Sequence, residues 1–192
     1  MKVSSLKSVF IALIGLVFLI SCGKDDTPQD VIVMDDTPFI LEHGALPAPS
    51  LPSDNQLTIQ GVKLGRMLFY EKLLSRDGSQ ACADCHRQQD GFSDTSRFSI
   101  GVELMPGKRQ AMPVFNMAWH TNEFFWDGRA HLLRDQALKP IQDPLEMNET
   151  LPNVIAKLSN YQQYKDQFIR TFGSNEIKNK ISKDSRSQKV KQ

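Results

Sequence analysis

Apolar residues recur at helical spacing in four stretches of this chain, and no strand pattern competes with them. The first stretch begins behind Thr58, a plausible N-cap, and sets Ile59, Val62, Leu68 and Phe69 near one face. Three more helices are expected: Ala130 to Lys139, Leu151 to Leu158 behind Thr150 as N-cap, and Tyr161 to Phe172. In the last, Tyr161, Tyr164, Phe168 and Phe172 make an i, i+3/i+4 stripe, read as core, that ends at Gly173. The pattern predicts a mainly α domain over residues 56–175.

Between these stretches the pattern changes. Residues 87–125 lack sustained periodicity and are rich in Gly, Pro and Ser, so long loops with one or two short turns are expected there. Residues 23–55 are polar and carry Pro28, Pro38, Pro47, Pro49 and Pro52, a composition for an extended tether followed by a wrapping arm. Residues 1–22 show Lys2 and Lys7, an apolar run from Val9 to Ile20, and then Ser21-Cys22. This resembles a bacterial lipoprotein signal, which would export the chain and anchor it to the membrane through lipid on Cys22, outside the cytoplasm. A plain secretory signal or a signal anchor is the alternative. From residue 176 to 192 the periodicity gives way to a basic polar run, expected to be a disordered or aberrant tail.

Charge and cysteine content narrow the classes. The formal net charge of +1 conceals basic ends and a body of about −6 between them, which argues against nucleic acid as a partner. Three Cys are present; with Cys22 assigned to targeting, two remain. Those two suit an oxidising compartment.

They belong to Cys82-Ala83-Asp84-Cys85-His86, which has the spacing of a c-type haem attachment site. On a helical turn residues three apart share a face, so both thiols can bond the vinyl groups of one porphyrin while His86 turns to the iron. A disulfide or redox dithiol is the competing reading, but a thioredoxin-like site needs a βαβ frame that the periodicity does not supply. The expected cofactor is one covalent haem c. His43, His120, His131, Met105 and Met112 are the candidates for a sixth iron ligand, which would make an electron carrier where an open position makes a catalyst.

Around that motif stand Leu64-Gly65-Arg66-Met67-Leu68-Phe69-Tyr70, Leu74-Ser75, Ser99-Ile100-Gly101 and Met112-Pro113-Val114-Phe115-Asn116. Beyond them come Phe125-Trp126-Asp127-Gly128-Arg129-Ala130, Gln136-Ala137 and Pro144-Leu145-Glu146-Met147. From about residue 40 to 173 the chain resembles the N-terminal half of the bacterial di-haem cytochrome c peroxidases and the similar MauG-type enzymes. The resemblance implies a c-type cytochrome-like haem domain whose loops wrap the haem, and the reduction of hydrogen peroxide with electrons from a cytochrome or other small redox protein.

It also implies roles. Glu146 matches the acidic residue above the peroxide-binding face and Gln136 a pocket glutamine. A carboxylate suits the task of moving a proton from one peroxide oxygen to the other, so that water departs in place of hydroxide. Trp126 matches the tryptophan that relays electrons between two haems, with core packing as the plainer reading. Arg109 and Arg129 carry planar forks suited to haem propionates, or else form surface salt bridges.

Three departures accompany the matches. Ile100-Gly101 is followed by Val102, where many relatives place a removable distal His. The calcium-ligating Asn of the family falls at Gln110, which puts a calcium site in question. The sequence holds one CxxCH, so the expectation is a truncated form lacking the second haem domain. A mono-haem electron-transfer cytochrome or an inactive remnant are the alternatives.

Overall fold

The computed structural model describes residues 31–121 and 123–177. The chain divides after Val31, and the first unit, apart from Val31 itself, lies outside the described residues, as do the expected signal, the start of the tether and residues 178–192. Among the described residues five α-helices are bounded: α1 (Ile59–Phe69), α2 (Cys82–Cys85), α3 (Leu133–Gln142), α4 (Leu151–Ser159) and α5 (Gln162–Phe172). Short 3₁₀ turns occur at Lys72–Leu74 and Gln88–Asp90. Among the described residues no strand forms, only isolated bridges.

The expected caps are in place. Thr58 accepts from the Gly61 amide at 3.0 Å and Thr150 from the Asn153 amide at 3.4 Å, each relieving a free donor of a first turn. Gly173 ends α5 at φ +71°, a left-handed conformation that favours glycine. The core lies among α1, α4 and α5, where Leu64, Val154, Leu158, Tyr164 and Phe168 are buried together. Each such side chain contributes about 1.5–3 kcal/mol on leaving water. Tyr161, by contrast, caps α5 from an exposed position, so the aromatic stripe is core from Tyr164 onward.

Helix α3 departs from expectation at both ends. It starts three residues late because Ala130 is paired with Phe124 in a bridge (Phe124 N–H to Ala130 O, 2.6 Å). It runs on past Pro140 to Gln142, and the carbonyls of that last turn find partners outside the helix: Pro140 O accepts from Met147 N and Ile141 O from Glu149 N. At the C-terminal side Ile177 is buried in the core, so the domain extends past the expected boundary at 175.

The arm does wrap. Asp35 N–H donates to Arg170 O (2.8 Å), Phe39 N–H to Leu57 O (3.0 Å), and Trp119 Nε1 reaches back to Pro47 O (2.7 Å). Arg134 clamps Asp54 with both terminal nitrogens. These contacts hold irregular chain on the helical frame, leaving residues 87–132 to build the wall of a cavity.

Candidate functional site

The cysteine motif is a short helix closed at both ends. Asp84 accepts from the Ala81 amide at 2.7 Å, and the His86 amide donates to Cys82 O at 3.0 Å. Upstream, the Ser75 hydroxyl accepts from Gln80 N at 3.1 Å, fixing the approach to Cys82. Both cysteines are free thiols. Burial pushes each thiol up, Cys82 to about 11, so they are protonated at neutral pH.

His86 is held at Nδ1 by the Phe92 carbonyl, 3.2 Å away. With Nδ1 donating, Nε2 keeps its lone pair, the form a metal needs. Burial pushes the imidazole down, which also favours the neutral ring.

A cavity of about 400 Å³ gathers Cys85, His86, Trp126, Arg129, Gln136 and Glu146 on its lining, with Arg109 beside them. Cys82 sits one helical turn earlier and is not on the lining. Gln80 also borders the cavity; its Oε1 is buried without a partner while its Nε2 donates to Cys85 Sγ at 3.3 Å. The volume is that of a small-molecule or cofactor site. Two thiols, a neutral imidazole and two guanidinium groups form a donor set that fits a c-type haem.

Glu146 reaches the cavity through a tightly built turn. Its amide donates to Asp143 O (3.0 Å), and its carbonyl accepts from Val102 N (2.9 Å). The side chain is half-buried, unlike an ordinary surface Glu. Burial pushes its carboxyl up, Asp143 adds to the rise, and Arg129 opposes it. Gln136, on α3, is 7% exposed and lines the same space.

Trp126 sits on a strained loop. Phe125 adopts φ +67°, rare for an aromatic residue, and Gly128 closes the turn by donating to Phe125 O. The indole is 62% exposed and donates from Nε1 to Gln110 O at 3.0 Å, so the core-packing reading does not hold. Asp127 binds both Arg109 (2.5 Å) and Arg129 (2.9 Å), and Arg129 also lies 3.5 Å over the Phe125 ring. Hydrogen bonds from Arg129 and then Arg109 hold the Asp127 carboxyl down at about 2. The two arginines thus form ion pairs, and they do so on the lining of the cavity.

Of the candidate sixth ligands, Met112 alone lines the cavity. His43 is bound to Leu46 O, His131 to Glu123, and His120 tilts on Phe124 at 4.7 Å. Gln110, the residue on which the expected calcium site turned, donates to Asp94 O at 3.0 Å. Asp143 and Gln80 line the cavity without having been singled out; Asp143, three residues before Glu146 at a helix end, was the more legible of the two.

The chain is 42% identical over 125 residues to the methylamine utilization protein MauG of Methylorubrum extorquens, covering 65% of this chain and 35% of that one. It is 37% identical to the cytochrome c peroxidase Ccp of Escherichia coli, covering 68% of this chain and 28% of that protein. In fold it matches a MauG-like protein associated with microbial copper homeostasis, at TM-score 0.58 and 31% identity over 64% of this chain and 37% of that one. The chain therefore spans about a third of the length of these relatives. The family model for di-haem cytochrome c peroxidase matches residues 59–190, from the first helix of the core past Glu146 and on beyond the described residues. With the CxxCH helix, the cavity and the Glu146 turn all inside that match, this chain belongs to the di-haem cytochrome c peroxidase family.

Proposed function

We propose that this chain reduces hydrogen peroxide to water, with one c-type haem joined to Cys82 and Cys85 and held at the iron by His86. When bound, the haem supplies the iron centre that accepts the peroxide and passes it electrons. Glu146 moves a proton between the two peroxide oxygens through its carboxylate, so that water leaves. Two electrons and two further protons complete the conversion to two waters. Gln136 orients the peroxide with its amide, and Arg109 and Arg129 hold the propionates while Asp127 keeps their forks in place. Trp126 carries electrons in from a cytochrome or other small redox protein.

The observation that carries this reading is the half-buried Glu146 carboxyl on the same cavity lining as His86. An electron carrier would instead need Met105, Met112 or His120 on the iron. Met105 and His120 do not line the cavity, which leaves Met112, on the lining, as the one of the three that could close the iron. Glu146→Gln should slow the reaction with peroxide by about 10²- to 10⁴-fold while leaving cyanide binding intact. A variant as fast as the parent, or a parent inert to peroxide, would return the electron carrier to first place.

The same reading sets the protein in the periplasm, lipid-anchored at Cys22, as the Leu19-Ile20-Ser21-Cys22 run suggests. Cys22→Ser should then release it from the membrane fraction. Unchanged partitioning with an uncleaved N-terminus would favour a signal anchor.

A further inference from the structure

Two carboxylates line the cavity, and the chemistry above uses one of them. The second, Asp143, ends α3 and organises the turn that delivers Glu146. Its carbonyl accepts from the Glu146 and Asn148 amides, both at 3.0 Å, and its Oδ1 accepts from the Leu145 amide at 2.9 Å. Among the described residues, by contrast, no hydrogen bond reaches the Glu146 carboxyl. Its proton affinity is therefore left to burial and to the charges around it.

The charged and titratable groups around it come from several elements. Asp143 is on its own turn. Arg129 comes from the Trp126 loop, with its guanidinium already committed to Asp127 and stacked on Phe125. From α2 and its end, Cys85 and His86 border the same cavity and Cys82 lies one turn away, the thiols and the imidazole all neutral. Lys108 and Arg109 border the same cavity, and Arg109 too is bound to Asp127. Asp143 is thus the negative neighbour that no bound cation offsets at close range.

We propose that Asp143 is a positioning residue that sets the proton affinity of Glu146, acting through Glu146 and not on the peroxide. This rests on the peroxidase reading for its purpose, though not for its physics. A carboxylate beside a carboxylate in a partly desolvated cavity disfavours ionisation of the second, which keeps the Glu146 proton available to higher pH. The hydrogen bond from Leu145 N to Asp143 Oδ1 holds the first carboxylate where it does this.

The test is infrared titration of the Glu146 carboxyl in the haem-loaded protein, its band identified by loss in Glu146→Gln. Asp143→Asn removes the charge and keeps an oxygen for Leu145 N. The Glu146 midpoint should fall by about one pH unit, with the pH profile of the peroxide reaction moving alongside it. Asp143→Ser, which also keeps an acceptor, should give the same shift and serves if the Asn variant does not fold. An unchanged midpoint overturns the proposal, as does a shift in the Ser variant alone, which would trace to turn geometry. If Glu146→Gln proves as fast with peroxide as the parent, the peroxidase reading falls, and the infrared midpoint still decides the role of Asp143.

Discussion

Gly101 lies so close to Leu145 that a β-carbon on it would stand 2.1 Å from the Leu145 carbonyl oxygen. The contact is backbone on backbone, so neither side can swing away, and the next amide, Val102 N, bonds Glu146 O. Gly101→Ala should therefore push the Glu146 turn outward, costing about 1–3 kcal/mol of stability and slowing the peroxide reaction. Gly65→Ala is the control. It sits in α1 with open space around it, and it should stabilise by about 0.5–1 kcal/mol. Thermal melts of the two variants moving in the same direction would contradict this.

The Glu146 carboxyl is pushed up on folding, first by burial and then by Asp143. Its contribution is therefore greatest below the unfolded value near 4.5 and is lost as pH rises through the higher folded value. Glu146→Gln removes that loss. The variant should gain stability relative to the parent as pH rises from 4 to 8, a trend that urea unfolding at several pH values would show or refute.

Replacing both Cys82 and Cys85 with Ala removes the thioether donors and leaves His86 in place. A pyridine haemochrome assay on protein made in a haem-competent periplasm should read one c-type haem per parent chain and none in the double variant. Thioether haem retained in the variant would overturn the attachment site.

Lys157 reaches from α4 to the carbonyls of Ser75 (2.7 Å) and Arg76 (3.1 Å) while pairing with Glu149 at 2.5 Å. Glu149 is 5% exposed, so Lys157→Met leaves a buried carboxylate without its cation. The expected cost is about 3 kcal/mol, and adding Glu149→Gln should recover part of it. Urea midpoints of the single and double variants measure both.

Much of the helical frame was legible because its signals are local. Thr58, Thr150 and Gly173 cap their helices through groups three or four residues away, and the apolar periodicity of α1, α4 and α5 needs no knowledge of what packs on it. The bounds of α3 were hidden because they depend on distant partners: Phe124 claims Ala130, and the Met147 and Glu149 amides donate to the Pro140 and Ile141 carbonyls of the last turn. Ile177 looked like tail because a single apolar residue carries no period.

The site divides in the same way. Cys82, Cys85 and His86 declare their chemistry by spacing alone. Glu146, Gln136 and Trp126 were reached through family likeness, and their common cavity exists only in three dimensions. Arg109 and Arg129 read as propionate clamps or as salt-bridge partners; both line the cavity, and Asp127 bridges them. Asp143 carried no signal of its own beyond its place before Glu146.

The partition between a packed helical core and an irregular cavity wall has a consequence for backbone exchange. Amides in α1, α4 and α5 are hydrogen-bonded over buried side chains and exchange through global opening, whereas much of residues 87–132 can open by itself. Deuterium uptake would then fall into two kinetic classes, divided along that boundary. Loading of the cavity would appear as slowed uptake confined to the wall, a footprint of occupancy that requires no turnover to observe.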